Sequence, residues 1–289
     1  MYKIQLKLVA FLLLNTICFA QPYTDIASFA YQYFSSNYKN NPDIKNQTNQ
    51  YSLNLFFPKE FNNGNVFLFR VNSELITSST SSERETISSI ALPTGFQFTS
   101  KNKKWKTVFM VIPKLASNFG TTISTKDWQF GGFFLENYML NEKLKLKFGL
   151  YYNREVFGNF FVPLLGVDWK ASERIYFYGT LPTNYKIEYS IIKNKYFIGL
   201  DYKWVTRSFN LSNNLQHDYI RFDETLLKLF AEGFIAKNTL LSFEVGYSFG
   251  KNPLQYSFET DELSNANQLY SPLKNYTVIN FGISYRIRN

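Results

Sequence analysis

The chain has 289 residues, a formal net charge of +9, 19% aromatic residues and 18% charged residues, against about 25% charged in an average soluble protein. Hydrophobic content is 45% yet mean hydropathy is −0.23. Apolar residues are therefore diluted evenly, which excludes a helical polytopic membrane protein, with its runs of about 20 apolar residues, and excludes disorder. One Cys and one His exclude a disulfide scaffold, a zinc cluster and a haem or iron–sulfur centre on the usual ligands, so no cofactor is expected.

Residues 1–20 have the layout of a cleaved secretory signal peptide. Lys3 and Lys7 make a basic start, Leu8 to Leu14 an apolar run, and Cys18-Phe19-Ala20 ends on a small residue. The apolar run is too short to span about 30 Å of hydrocarbon, and Ile17 before Cys18 argues against lipidation at that cysteine. Cleavage is expected between Ala20 and Gln21, leaving residues 21–289 as one domain without cysteine. The remaining basic excess is spread along the chain, which suits a surface facing anionic lipid or lipopolysaccharide rather than a nucleic-acid patch.

Beyond residue 24 the dominant period is two, the signature of strands with one apolar and one polar face. Fourteen strands are predicted, over 24–36, 48–57, 65–77, 85–99, 103–115, 126–139, 143–156, 161–170, 174–181, 185–192, 196–205, 218–235, 239–249 and 276–288. In the third, Phe67, Phe69, Val71 and Leu75 alternate with Arg70, Asn72 and Glu74. In the seventh, Leu144, Leu146, Phe148 and Leu150 alternate with Lys143, Lys145 and Lys147. The eleventh, thirteenth and last repeat the pattern: Asp201 and Lys203, Glu244, and Arg286 fall on their polar faces. No helix of ten or more residues is expected.

Three features separate this pattern from a soluble sandwich. The strands are long against a usual five or six residues. Aromatic residues gather at strand ends, as in interfacial girdles. Connections also alternate in length: those after even strands are short and carry turn residues, such as Asn62-Asn63-Gly64 and Lys237-Asn238, while those after odd strands are mostly longer, such as 37–47, 116–125, 206–217 and 250–275. Gly158-Asn159 and Pro182-Thr183-Asn184 break that rule. The pattern predicts an all-β, transmembrane, antiparallel up-and-down barrel of 12 to 14 strands in the outer membrane of a Gram-negative bacterium, with both termini periplasmic. Pro93, Pro113, Pro163 and Pro182 lie in or at the ends of these runs and are expected at bulges, at the rim, or where one run is two shorter strands.

The block Pro163-Leu164-Leu165-Gly166-Val167-Asp168-Trp169-Lys170, followed by Arg174-Ile175-Tyr176-Phe177-Tyr178-Gly179-Thr180-Leu181-Pro182-Thr183, resembles a family of Bacteroidota outer-membrane barrels known only as a domain of unknown function. The Gln-containing mature start and the closing Asn280-Phe281-Gly282-Ile283-Ser284-Tyr285-Arg286 resemble it too. The resemblance implies a barrel fold and an outer-membrane location, and brings no catalytic residue. Ile287-Arg288-Asn289 departs from the aromatic ending such barrels often show, so recognition by the barrel-assembly machinery is expected either to rest on Phe281 and Tyr285 or to be weaker than usual.

His217, beside Asp218, is the one candidate for acid–base chemistry on lipid, but no nucleophile elbow or phosphate-cradling loop accompanies it, and a solvent-exposed loop histidine is the simpler reading. No enzyme is expected. Alternation places Arg70, Glu74, Lys143, Lys145, Lys147, Asp201, Lys203, Glu244 and Arg286 in the lumen, six basic against three acidic. Two functions follow from that face. One is a passive or gated channel for small solutes that leans toward anions; the other is an occluded structural or assembly-partner barrel binding envelope proteins or lipopolysaccharide, its lumen crossed by salt bridges. The connection 250–275 is a candidate constriction or plug.

Overall fold

The computed structural model describes residues 22–120, 122–212, 219–249, 254–256 and 273–288. The signal segment, His217 and most of the 250–275 connection lie outside them. The strands are β1 (Tyr23–Asn37), β2 (Lys45–Glu60), β3 (Val66–Ser79), β4 (Arg84–Ala91), β5 (Thr94–Thr99), β6 (Trp105–Ser117), β7 (Trp128–Asn141), β8 (Leu144–Glu155), β9 (Gly158–Lys170), β10 (Ile175–Leu181), β11 (Asn184–Ile192), β12 (Tyr196–Asn210), β13 (Tyr219–Phe234), β14 (Thr239–Phe249), β15 (Leu254–Tyr256) and β16 (Thr277–Arg288). Among the described residues the only helical element is a single 3₁₀ turn, Thr125–Asp127.

Each strand pairs antiparallel with its neighbours, and β16 pairs with β1 from Tyr23↔Arg288 to Phe34↔Val278, which closes the sheet. β4 and β5 together fill one place in the wall, between β3 and β6. The barrel therefore has fourteen wall strands. The predicted fourth strand is broken at Leu92-Pro93, where Pro93 gives its carbonyl to the Arg70 N–H and the Leu92 N–H reaches the Pro113 carbonyl. Two shorter strands thus carry the pairing past a residue that has no donor.

Both ends of the described chain lie at one rim, with the short turns; the longer connections lie at the other. At the turn rim, the β2–β3 reversal uses Gly64 at φ 77°, a left-handed conformation glycine adopts without strain. β2 and β13 reach 16 residues. Such long strands with one apolar side leave that side facing outward: on β14, Leu241, Phe243, Val245, Tyr247 and Phe249 are exposed while Glu244 and Ser248 are buried. Trp105, Trp169, Tyr196 and Tyr285 form an exposed aromatic belt near the turn rim, and Trp128, Tyr247 and Phe249 one near the loop rim. A sheet closed on itself, with an apolar band and two aromatic girdles, is the architecture that satisfies backbone polar groups in hydrocarbon.

The wall is lowest at β10 and β11, of seven and nine residues. Gly179, at φ 141°, sits where the β9–β10 pairing skips residues 178 and 179 without a change of register, and a side chain there would collide with the Asn184 carbonyl.

Candidate functional site: the barrel lumen

The inward positions of each strand are polar, and the structure gathers them into ion-pair clusters at successive heights. Near the turn rim, Tyr23 of β1 meets Tyr178 of β10 edge-on, ring centroids 5.7 Å apart and hydroxyls 3.2 Å apart. These strands face each other across the barrel, so the pair bridges the lumen. The Arg286 guanidinium lies 3.5 Å from the Tyr23 ring centre, and Arg288 holds Glu188 at 2.5 Å while covering Phe197. Arg286 also donates to Asp25 at 2.7 Å and to Glu232 at 2.5 Å, and Glu232 takes Lys186 at 2.9 Å.

Midway, Lys228 joins Asp201, at 3.2 Å, to Glu244, which also accepts from Asn280. On the opposite wall Lys145 and Lys147 share Asp168 at 3.3 and 2.5 Å. Between these clusters lies a chamber of about 770 Å³ lined in part by Asp25, Arg70, Lys147, Asp201, Lys203 and Glu244. A second recess of about 580 Å³ continues it along the β2–β8 side and shares Arg70 and Lys147.

At the loop rim the β12–β13 hairpin leaves the wall and crosses the mouth. Asn210 pairs in parallel with Ser117 at the tip of β6. Phe209, Leu211 and Phe222 bury themselves against Ile76, Ile87 and Ala116 of the far wall. Polar anchors fix the crossing. Glu155 accepts from the Ser208 N–H at 2.7 Å and the Ser208 hydroxyl at 2.6 Å, and Gln129 donates to the Ser208 carbonyl. Asn210 donates to Asp127 at 2.8 Å. Arg207 reaches the opposite side, pairing with Glu74 and Glu224 and donating to Gln50; Glu224 in turn accepts from the Tyr276 hydroxyl.

Asp127 lies in the loop beyond β6, outside the membrane-spanning wall. Burial pushes its carboxyl up, but the Ser124 N–H and the side chains of Asn210, Ser117 and Ser124 together outweigh burial and hold it below the ordinary carboxylate range.

Of the nine residues placed in the lumen by alternation, Arg70, Lys147, Asp201, Lys203, Glu244 and Arg286 line the chamber, Lys145 lines the recess, and Glu74 is in the Arg207 network. Lys143 differs: β8 begins at Leu144, and Lys143 is exposed in the turn before it, its N–H taken by the Asn141 side chain. Among the described residues, Arg70 and Lys203 form no ion pair; Arg70 instead stacks over Phe56 at 4.1 Å. Alternation did not single out Arg207, Glu155, Glu224 or Glu232. Glu224, Lys228 and Glu232 do recur every fourth residue opposite Leu227 and Leu229, a signal that was available. No group of three or more His, Cys, Asp or Glu residues among the described residues is placed to hold a metal ion.

No family model and no curated protein sequence matches the chain. Among solved structures it is similar to an outer-membrane channel from Pseudomonas putida F1, with 10% identity and a TM-score of 0.45 over 91% of this chain and 96% of that one. It is also similar to the NanC porin, with 7% identity and a TM-score of 0.41 over 90% and 100% of the two chains. The outer-membrane phospholipase A of Escherichia coli matches with 12% identity and a TM-score of 0.39 over 94% and 93%. These are likenesses of overall shape between distant chains; the closed fourteen-stranded wall rests on its own strand pairing.

Proposed function

We propose that this chain is an outer-membrane barrel of a Gram-negative bacterium, with its turn rim and both termini periplasmic, that acts as a gated channel for small solutes with a mild preference for anions. The observation that carries the reading is the chamber of about 770 Å³ with Arg70 and Lys203 on its wall, neither of them ion-paired among the described residues, closed at the loop rim by a hairpin held through side-chain bonds. Cations without carboxylate partners favour anions in a water-filled lumen. The hairpin is the gate, and the Tyr23–Tyr178 bridge narrows the periplasmic side.

The test is single-channel conductance of the refolded chain from Gln21 onward, after heat-modifiable migration has established folding. Conductance steps with anion preference are expected, the preference falling in Arg70→Gln and Lys203→Gln. A disulfide between Ser117→Cys and Asn210→Cys, which face each other across the mouth, is expected to silence the steps. The ion pairs that cross the lumen, Arg207 to Glu74 above all, favour a second reading, a permanently occluded barrel that works through its loops and outer face. Folded protein that stays silent, with or without the disulfide, decides for it.

A further inference from the structure

The barrel wall is interrupted on one side. Above the β10–β11 turn, residues 158–164 of β9 pair with β8 but, among the described residues, with no strand on their other flank. Facing them, residues 204–210 of β12 pair with β13, and beyond the Trp204 N–H bond to the Thr183 carbonyl they meet no part of β11. The gap is bounded below by that turn. Above, the Arg221 guanidinium lies 4.0 Å over the Phe157 ring, which stacks on Phe160. Unpaired strand edges are costly in hydrocarbon, and Pro163, which has no N–H to offer, lies within the unpaired stretch.

Two further observations say what the gap is suited to. The inward side of β9 here is apolar, Phe160, Val162 and Leu164, where inward positions elsewhere carry Lys145, Glu232 or Glu244; Val162 and Leu164 are buried. The outer lip is bare: Phe161 and Leu165 are 64% and 66% exposed, the highest values among the large exposed apolar residues. Directly behind the gap, the chamber lining includes Thr183, Asn184 and Trp204, and Lys203 stands one residue below the gap with no ion pair among the described residues.

We propose that this gap is a side entrance through which a single-chain anionic amphiphile passes between the outer leaflet and the chamber, its head group held by Lys203 with Arg70 deeper in, its chain lying along Phe160, Val162 and Leu164. The proposal rests on the membrane-embedded, water-filled barrel of the channel reading and adds a lateral route to it.

The test leaves Trp204 as the sole tryptophan by Trp105→Phe, Trp128→Phe and Trp169→Phe, and follows its fluorescence in liposomes. The probes are a terminally brominated medium-chain fatty acid, a chain-brominated lysophosphatidate and the matching brominated alcohol. Saturable quenching by an anionic probe is expected, with apparent affinity falling at least about tenfold in Lys203→Gln and returning in Lys203→Arg. Which anionic probe saturates tells whether the ligand is a free fatty-acid-like molecule or a lipid head group. The alcohol is expected to quench only in proportion to its amount in the bilayer. Quenching by both anionic probes as unsaturable as the alcohol's, or indifferent to Lys203, overturns the proposal. The Ser117–Asn210 disulfide keeps the two readings apart: saturable quenching in locked, silent barrels supports the side entrance whatever becomes of the channel, and conductance without saturable quenching leaves the channel and removes the side entrance.

Discussion

Glu155→Ala tests whether the hairpin over the mouth is held by a few polar anchors. Glu155 is buried at the tip of β8 and accepts two bonds from Ser208 of the hairpin, besides one from Asn153 and an ion pair with Lys114 at 3.3 Å. Hydrogen bonds to a charged group contribute about 1.5–3 kcal/mol each. The Ser208 hydroxyl keeps the Val156 N–H, and Gln129 still donates to the Ser208 carbonyl. The loss is therefore expected near the lower end of the sum for two bonds, about 3 kcal/mol, which raises the undocked population somewhat more than a hundredfold. The readout is a single cysteine at Ser117, which is fully buried beneath the hairpin: its labelling rate by a membrane-impermeant maleimide follows the open population when opening is fast and reversible. Glu155→Gln, which keeps an acceptor, is expected to fall between wild type and Ala. Folded Glu155→Ala protein that labels at the wild-type rate refutes the anchoring argument.

Arg207→Met strands Glu74 and Glu224 inside the lumen and is expected to destabilise the barrel by about 3–5 kcal/mol, as when one partner of a buried pair is removed, read from urea unfolding in detergent. The acid dependence of Ser117→Cys labelling follows from Asp127: its folded carboxyl lies below the unfolded value of about 3.9, so its contribution to hairpin docking is complete above that pH and is lost as pH falls through the folded value. Labelling by an acid-active pyridyl disulfide, divided at each pH by that of the unfolded chain because the thiolate fraction falls with pH, is expected to be flat from pH 7 to about 5 and to rise below about 4, with Asp127→Asn removing its share of that rise. Phe134→Arg, on the outward face midway along β7, is expected to cost about 2–4 kcal/mol in lipid, and Phe134→Leu little. Tyr178→Ala, at the Tyr23 bridge, is expected to enlarge the conductance steps of wild type and of Glu155→Ala alike and to leave barrels locked by the Ser117–Asn210 disulfide silent, so steps in locked Tyr178→Ala barrels contradict the hairpin as the gate.

The wall was legible in the sequence because its two environments impose opposite chemistry on alternate residues. On β8 and β14 every outward residue faces hydrocarbon, and the register follows from the pattern alone. Legibility ends where that contrast ends. The sequence reading stops the eleventh strand at Val205, but β12 runs on to Asn210. Thr206 bonds Asp223 of β13, and Ser208 and Asn210 face protein across the mouth rather than lipid, so the apolar alternation vanishes while the strand continues. The occluding element is accordingly the hairpin, whose second arm the sequence reading has as a strand but whose residues 206–210 it has as loop; residues 250–253 and 257–272 of the candidate plug lie outside the described residues. Ion-pair partners were illegible for another reason: alternation gives the face of a residue, but Arg207 meets Glu74 only because a strand bends across the lumen.

Closure through β1 and β16 has a consequence for assembly. The wall pairings are made between strands adjacent along the chain, apart from the brief detour around β15 and the single bridge at the mouth; the closing seam joins residues such as Asp25 and Arg286, 261 positions apart. Until that seam forms, the sheet has two free edges, at β1 and β16, each able to recruit a foreign strand. The described ends lie side by side at the same rim, Tyr23 opposite Arg288, so a short linker between them would turn the seam into one more hairpin. A permutant so joined and opened in the turn between β11 and β12 would carry its late, long-range step there, and its order of assembly would start from strands that now come last.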